Sequence, residues 1–254
     1  MRRGRREIRG GRLRSFVWAS TTQGPVLLLG AAHVVDLEVP LRRELAARTL
    51  DGVAIELDAE RAASLFAEDG PRSSGRGAPL FARLWGRVQR RLGAEIGGGE
   101  PGAEMKVAAR VAKERNLPLF LIDDPIRTTL LEIVRNMTVK ERVALLAGAL
   151  LALFVPARVV EHEMDRYAQE PTTYTSELRR AAPTLARVLL DDRNEHMAER
   201  LASLRHQGYG RMAVVVGDAH LEGLRSALGR RGVPVEVIPF RQLRGPTGPY
   251  PNPS

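Results

Sequence analysis

The sequence predicts an α/β protein with a mainly parallel central sheet flanked by helices. Five short apolar runs alternate with helical patterns along the 254-residue chain. Each run is bounded by Gly, Pro, Asp or His and is almost continuously apolar, which is typical of strands covered on both faces. Alternation of strands and helices favours parallel strands joined by right-handed crossovers. The predicted strands cover residues 26–30, 53–57, 119–122, 213–217 and 233–238.

Helical patterns occupy the intervals between these strands. Predicted helices cover residues 39–49, 59–66, 104–115 and 221–230, and a long helical insertion covers residues 128–204 before the last two strands. A further amphipathic, arginine-rich helix at residues 79–92 lies between two loops rich in Gly, Pro and Ser, at 69–77 and 97–102. We expect this helix to pack as a flap over the sheet edge, because it is too small to be a domain.

One domain is expected over residues 1–244. A chain of this length can bury a substantial core, and no repeat of 20–50 residues is evident. Residues 245–254, GPTGPYPNPS, are rich in proline and are predicted to be a disordered or extended tail.

The composition restricts the chemistry. The chain has no cysteine, which excludes disulfides, thiolate metal sites and cysteine nucleophiles together. The formal net charge is +9, and residues 1–14 carry seven arginines against one glutamate. Such an arm could bind nucleic acid or an anionic membrane surface. The alternative is a partly ordered N-terminal extension or a first strand with solvated arginines. No aromatic stacking pattern accompanies the arginines, so nucleic-acid binding is not expected.

Residues 143–157 form an uncharged run, VALLAGALLALFVPA. This run falls short of the roughly 20 residues that a membrane-spanning helix needs. The first interpretation is a buried core helix, and the second is a peripheral membrane contact or a homodimer interface. No long apolar region follows the basic N-terminus, so no signal peptide is expected and the predicted location is the cytoplasm.

Two predicted strands run into the same motif, Gly-x-x-His. The first ends in GAAH at residues 30–33, and the fourth ends in GDAH at residues 217–220. Ligands of open α/β sheets bind at the carboxyl ends of the strands, where glycine lets the backbone turn sharply. A neutral imidazole there can bind a metal or move a proton near neutral pH. We therefore predict that His33 and His220 share one site.

The second and third strands also end in ionisable residues. The second runs into Glu56, with Arg61 one turn into the next helix, and the third runs into Asp123 and Asp124, followed by Arg127. A carboxylate within an apolar strand pattern is costly to bury unless it is paired or bound to a cation. The alternative for the glutamate is an edge strand that faces water, and the alternative for one of the two aspartates is a helix N-cap.

Two further candidates lie on predicted helices. Glu104 opens the helix before the third strand, and Arg193 opens a late helix in the motif DRNEHMA. Because guanidinium is always charged and can bind in a bidentate manner, Arg193 is a candidate clamp for a substrate carboxylate or an oxyanion. The alternative for each is a solvated charge on a helix surface.

Six motifs follow one another along the chain: LLLGAAHV at 27–34, VAIELDAER at 53–61, GAEMKVAARVA at 102–112, LIDDPIRTTL at 121–130, DDRNEHMAERL at 191–201 and VVVGDAHLEGL at 214–224. In this order they resemble the TraB/PrgY/GumN family. That family is related to the Tiki metalloproteases and, more distantly, to ChaN-like and erythromycin-esterase-like proteins. Each motif is weak alone, whereas six in family order are specific.

The resemblance implies a functional centre of paired Gly-x-x-His motifs with a glutamate, which maps onto His33, His220 and Glu56. Members of the Tiki branch are peptidases that depend on divalent metals such as Mn²⁺ or Co²⁺. PrgY-like members limit the activity of peptide pheromones and carry C-terminal transmembrane segments, which this sequence lacks. The resemblance also suggests roles for Arg61, Glu104, Asp124, Arg127 and Arg193.

The first functional hypothesis is metal-dependent hydrolysis of an amide or ester in a peptide or small molecule. His33, Glu56 and His220 would hold one divalent cation, with an open position for the attacking water. Mixed imidazole and carboxylate ligands suit Mn²⁺, Co²⁺ or Zn²⁺. The other roles are proton transfer or ligand orientation for Glu104 or Asp124, and oxyanion stabilisation for Arg193 or Arg127.

Two other hypotheses use the same residues. In a metal-independent hydrolase, a histidine would activate water directly while Glu and Arg orient it. In a non-catalytic regulatory protein, the site would hold a peptide or haem, with one histidine as axial ligand. The remaining histidines are expected at surface positions: His162 and His196 on solvated helix faces and His206 at a helix C-terminus.

Overall fold

A computed structural model describes residues 23–31, 37–67, 102–144 and 171–244 of the chain, and these contain a five-stranded, all-parallel sheet. The predicted fold class is therefore confirmed. Every predicted strand is present, with bounds that differ by two residues at most. The strands are β1 (Val26–Ala31), β2 (Gly52–Ile55), β3 (Leu119–Leu121), β4 (Met212–Gly217) and β5 (Val235–Ile238).

Helices follow the strands closely. Two short turns of other types join them: a π-helix at Arg187–Asp192 and a 3₁₀ turn at Asp218–His220. The α-helices are α1 (Glu38–Ala46), α2 (Ala59–Phe66), α3 (Ala103–Glu114), α4 (Ile126–Asn136), α5 (Pro171–Ala181), α6 (Pro183–Ala186), α7 (Arg193–His206), α8 (Leu221–Arg230) and α9 (Phe240–Arg244).

The strand order is β3-β2-β4-β1-β5. The chain runs from β1 to β2 and out to β3, then returns between β2 and β1 as β4 before it crosses to β5. Ile55 of β2 pairs with Val215 of β4, and Ala31 of β1 pairs with Gly217. The carboxyl ends of β2, β4 and β1 therefore lie side by side at the point where the order reverses, which is where open α/β sheets bind ligands.

Alternate residues of each strand belong to two separate hydrophobic cores, one on each face of the sheet. Leu27 and Leu29 of β1 join the apolar cluster formed with α1 and α3, whereas Val26 and Leu28 join the cluster formed with α7 and α8. Helices thus cover both faces of the sheet. This double burial is the physical reason why the strands are apolar at nearly every position.

Residues 128–144 and 171–204, the part of the predicted helical insertion that the structure describes, form a series of shorter helices. After α4, Thr138 and Glu141 form a capping box that begins the helical residues 139–144: the Thr138 N–H donates to the Glu141 carboxylate, and the Glu141 N–H donates to Thr138 Oγ1. Ala182 separates α5 from α6, and the π-helix separates α6 from α7. The cap at Thr138 and the proline at the start of α6 therefore divide residues whose helical periodicity predicts a single long helical segment.

Several predictions lie outside the described residues. These are the basic arm at 1–14, the flap helix at 79–92, the tail at 245–254 and all but two residues of the apolar run at 143–157. The single-domain assignment stays a prediction. Among the helices that the structure describes, none combines the length and the apolar character needed to cross a membrane.

Candidate functional site

Three strands deliver ionisable side chains to the carboxyl edge of the sheet. Glu56 follows β2 directly, Asp123 lies two residues beyond β3, and His220 ends the 3₁₀ turn that follows β4. Arg193, the first residue of α7, contacts all three of these side chains. We call these four residues the Arg193 cluster.

Glu56 is buried and fully bonded. Its Oε1 accepts from Arg193 Nη2, and its Oε2 accepts from the Gly217 N–H at 2.7 Å. The residue is 7% exposed, and β2 lies between β3 and β4. The alternative of an edge-strand residue facing water is therefore wrong, because an interior strand leaves no edge for it.

Opposing effects act on the pKa of Glu56. Burial raises it, because a low-dielectric surrounding disfavours the carboxylate. The Arg193 guanidinium and the Gly217 N–H act against burial, and the net shift of the Glu56 pKa is downward. Glu56 is therefore ionised across the physiological pH range.

Arg193 has its N–H groups satisfied by the protein. Nε donates to Asp123 Oδ1 at 2.9 Å, Nη2 donates to Asp123 Oδ2 at 2.6 Å and to Glu56, and Nη1 donates to the Leu189 carbonyl at 3.1 Å and to His220 Nε2 at 3.2 Å. These bonds use all five donors of a guanidinium. In this arrangement Arg193 positions its neighbours, and it could clamp a substrate only by exchanging one of these bonds.

The π-helix at Arg187–Asp192 ends immediately before Arg193. It also supplies Leu189, whose carbonyl accepts from Arg193 Nη1. Single π turns inserted between α-helices are frequent at functional sites. Here the π turn is the local backbone feature that places Arg193 at the sheet edge.

A second layer of charge supports Asp123. Arg61 Nη2 donates to Asp123, and Arg61 Nε donates at 2.7 Å to Asp58, which caps α2 through its Oδ1. Burial raises the pKa of Asp123, but Arg193 and then Arg61 outweigh burial and the nearby Glu56, and the net shift is downward. The side chain of Arg61 is 30% exposed, so this chain of ion pairs leads from the buried cluster to the solvent.

His220 is held through both ring nitrogens. Nε2 lies 3.2 Å from Arg193 Nη1 and 3.3 Å from Glu56 Oε1, and Nδ1 lies 2.9 Å from Asn194 Oδ1. A guanidinium has no acceptor, so its N–H donates to an unprotonated Nε2. His220 thus presents a lone pair beside the Glu56 carboxylate.

The glycine of the first Gly-x-x-His motif is explained by close packing. A Cβ at Gly30 would overlap Asp218 Oδ1 and would lie 2.9 Å from the Phe240 backbone N. Asp218 Oδ1 accepts from that N–H at 2.7 Å, and burial, partly offset by this N–H, raises the pKa of Asp218. The two Gly-x-x-His motifs are therefore in direct contact through Gly30 and Asp218.

Of the other predicted site residues, Asp124 and Glu104 have side chains that the structure describes. Asp124 lies 2.9 Å from His196 Nε2 and is partly exposed. Glu104 is buried in the first turn of α3, a helix that packs on β2 and β3. His33 and the side chain of Arg127 lie outside the described residues. The alternative of an aspartate N-cap is wrong, because α4 follows Pro125 without a side-chain cap.

Among the described residues, no group of three or more His, Asp or Glu side chains has the arrangement of a metal site. His33 is not among them, so the predicted ligand set of His33, Glu56 and His220 remains a prediction. Its two described members are adjacent, with 3.3 Å between Glu56 Oε1 and His220 Nε2.

Sequence reasoning missed two residues that complete the site. Asp58 had a visible signal, because it stands at the N-cap position of a predicted helix, three residues before Arg61. Asn194 had none, since an amide next to Arg193 resembles any polar residue on a helix surface. Its contact with His220 spans 26 positions of the chain.

Comparison with known proteins agrees with the motif order. The family model that describes the TraB/PrgY/gumN family matches residues 16–236. An uncharacterized protein of Methanocaldococcus jannaschii, MJ1365, is 28% identical over 217 residues, which cover 82% of this chain and 54% of that protein. The chain thus spans about half the length of this curated relative. With most of its length matched by the family model, the chain belongs to the TraB/PrgY/gumN family.

Proposed function

We propose that the chain hydrolyses an amide or ester bond of a peptide or small molecule, with a divalent cation held by His33, Glu56 and His220. The observation that carries this proposal is the buried approach of Glu56 Oε1 to His220 Nε2, at 3.3 Å. This pair lies at the carboxyl edge, where Ala31 of β1 pairs with Gly217 of β4. The third ligand, His33, is two residues beyond Ala31 in the sequence.

The spacing of the two described donor atoms fits a first-row divalent cation, which would take the place of the two Arg193 N–H groups that contact these atoms in the structure. Two ligand atoms about 2.0–2.2 Å from one tetrahedral ion stand about 3.3–3.6 Å apart, and Glu56 Oε1 and His220 Nε2 are separated by 3.3 Å. Imidazole with carboxylate suits Mn²⁺, Co²⁺ or Zn²⁺. When bound, such a cation would lower the pKa of a water ligand and polarise the scissile carbonyl.

The protein's own groups supply the proton transfer. With a cation bound, Glu56 and His220 Nε2 would both be ligands, so the proton of the attacking water would pass to Glu104 or Asp124. Without a cation, Arg193 fixes both side chains, and Asp123 fixes Arg193 through two bonds. We assign contact with the substrate oxyanion or carboxylate to Arg61, because it is partly exposed whereas the donors of Arg193 are already used.

A metal-independent hydrolase is the second candidate. Nη1 and Nη2 of Arg193 donate to the same two atoms, His220 Nε2 and Glu56 Oε1, that a cation would use. The guanidinium therefore already supplies positive charge at that position. In this mechanism His220 Nε2 exchanges its bond with Arg193 Nη1 for the proton of the attacking water, while Arg193 stays bonded to Glu56 and Asp123.

Metal analysis tests the proposal. The metal content of the purified wild type, and its calorimetric titration with Mn²⁺, Co²⁺ and Zn²⁺, should show a bound cation that is absent from His33→Ala and from His220→Ala. His206→Ala is the matched control, because His206 is exposed at the end of α7. Undiminished binding in either ligand variant would overturn the metal site. Hydrolysis that survives exhaustive chelation would select the second candidate.

A further inference from the structure

His220 is bracketed by two consecutive residues of one helix turn. Arg193 Nη1 lies 3.2 Å from His220 Nε2, and Asn194 Oδ1 lies 2.9 Å from His220 Nδ1. Both residues belong to the first turn of α7, and both His220 and Asn194 are 4% exposed. The first turn of α7 therefore contacts both nitrogens of the imidazole ring.

These two contacts favour one position for the proton of neutral His220. In a neutral imidazole one nitrogen donates and the other accepts. An amide oxygen can only accept, so Nδ1 donates to Asn194, and a guanidinium can only donate, so Nε2 accepts from Arg193. Both neighbours therefore favour the tautomer with the proton on Nδ1, in competition with Glu56 Oε1, which lies 3.3 Å from Nε2 and would accept from a protonated Nε2.

Gly223 on α8 makes room for this arrangement. A Cβ at Gly223 would overlap Nδ2 of Asn194 and would lie 2.9 Å from its Cγ. Any larger residue would push the amide away from His220. Glycine is otherwise unfavourable within a helix, so its presence three residues after His220 has a steric explanation.

We propose that Asn194, seated against Gly223, is a positioning residue that fixes the Nδ1–H tautomer of His220 and aims Nε2 at Glu56. The inference rests on the proposed function, because only an unprotonated Nε2 can take a proton from water or bind a cation. The partner of the other ring nitrogen commonly sets the tautomer of a functional histidine.

Nitrogen NMR of the histidine side chains tests the tautomer without reference to activity. The chain has five histidines, and His220→Ala assigns the signals of His220. At alkaline pH the wild type should show a protonated Nδ1 and an unprotonated Nε2. Asn194→Ala should mix the tautomers, because Nδ1 loses its acceptor while a protonated Nε2 can donate to Glu56 Oε1, 3.3 Å away. Asn194→Asp, which keeps an acceptor, should preserve the wild-type pattern. An unchanged pattern in folded Asn194→Ala would overturn the inference.

Gly223→Ala tests the steric part, with Gly229→Ala as its control on the same helix. A Cβ at Gly229 meets no atom within 4 Å. Gly223→Ala should shift the His220 signals as Asn194→Ala does, and the double variant should show no further change, since both remove the same contact. Equal behaviour of the two glycine variants would refute the role of Gly223.

Activity provides a second readout. Loss of the partner of a functional histidine typically costs about 10–100-fold in activity or metal affinity, and we expect a loss of this size in Asn194→Ala and a smaller one in Asn194→Asp. If the wild type hydrolyses nothing, the proposed function fails while the tautomer measurement still stands. If hydrolysis is present but the tautomer is unchanged in Asn194→Ala, the present inference alone fails.

Discussion

Replacing Arg193 with methionine removes the cation that organises the site. Methionine has a flexible apolar chain, so it fills much of the space but offers none of the five N–H donors. Glu56 and Asp123, at 7% and 2% exposure, would then lose the guanidinium that each contacts. Both carboxylates would remain buried, with a large desolvation cost that is no longer offset.

The expected loss of stability is large. Removing one partner of a buried ion pair costs about 3–5 kcal/mol. The Gly217 N–H still bonds Glu56 and Arg61 still pairs with Asp123, so the lower end of this range applies. A loss of about 3 kcal/mol corresponds to roughly 150-fold in the folding equilibrium constant.

Denaturation by urea near neutral pH, followed by circular dichroism, measures this loss as a lower free energy of unfolding. Arg225→Met is the matched control, since Arg225 forms an exposed ion pair with Glu222 on α8 and should leave the unfolding midpoint unchanged. If Arg193→Met unfolds at the same urea concentration as the wild type, Arg193 does not hold the cluster together and the reasoning fails.

Two further predictions concern pH and packing. The pKa values of Glu56 and Asp123 lie below their ordinary values of 4.5 and 3.8, so in acid the unfolded chain binds more protons than the folded protein. The stability that these two groups contribute is complete above pH 4.5 and is lost as the pH falls toward the folded pKa values. Denaturation across a pH series measures this loss, and a free energy of unfolding that does not fall with pH in this range would contradict the prediction. Gly30→Ala should cost about 1–3 kcal/mol by overpacking, because its Cβ would meet Asp218 and the first backbone N of α9; a thermal midpoint as high as that of Gly229→Ala would contradict this.

The strands and their polar ends could be predicted because each signal is local. Burial on both faces gives continuous apolar runs, and parallel strands bring their carboxyl ends to one edge. The rule that a buried carboxylate needs a partner predicted that Glu56 would be paired or bound to a cation. It could not name Arg193, which lies 137 positions away in the sequence.

The rest of the site depends on packing that leaves no local pattern. The residues 187–192 carry no sequence pattern that predicts a π-helix before Arg193. The position of the Asn194 amide depends on Gly223, which belongs to another helix, α8. Asp123 and Asp124 are equivalent in the sequence, yet the first joins Arg193 and the second lies beside His196. Tertiary geometry alone separates such neighbours.

Hydrolysis by Glu56→Gln, compared with the wild type on a panel of peptides and esters with added Mn²⁺, Co²⁺ or Zn²⁺, is the most direct test of the account. Glutamine keeps the size of the side chain but removes the charge that faces Arg193 and His220. We predict cleavage by the wild type and loss of cleavage in the folded variant, because a neutral amide replaces the carboxylate that would bind the cation. Equal rates in the two proteins would contradict the assignment of this site.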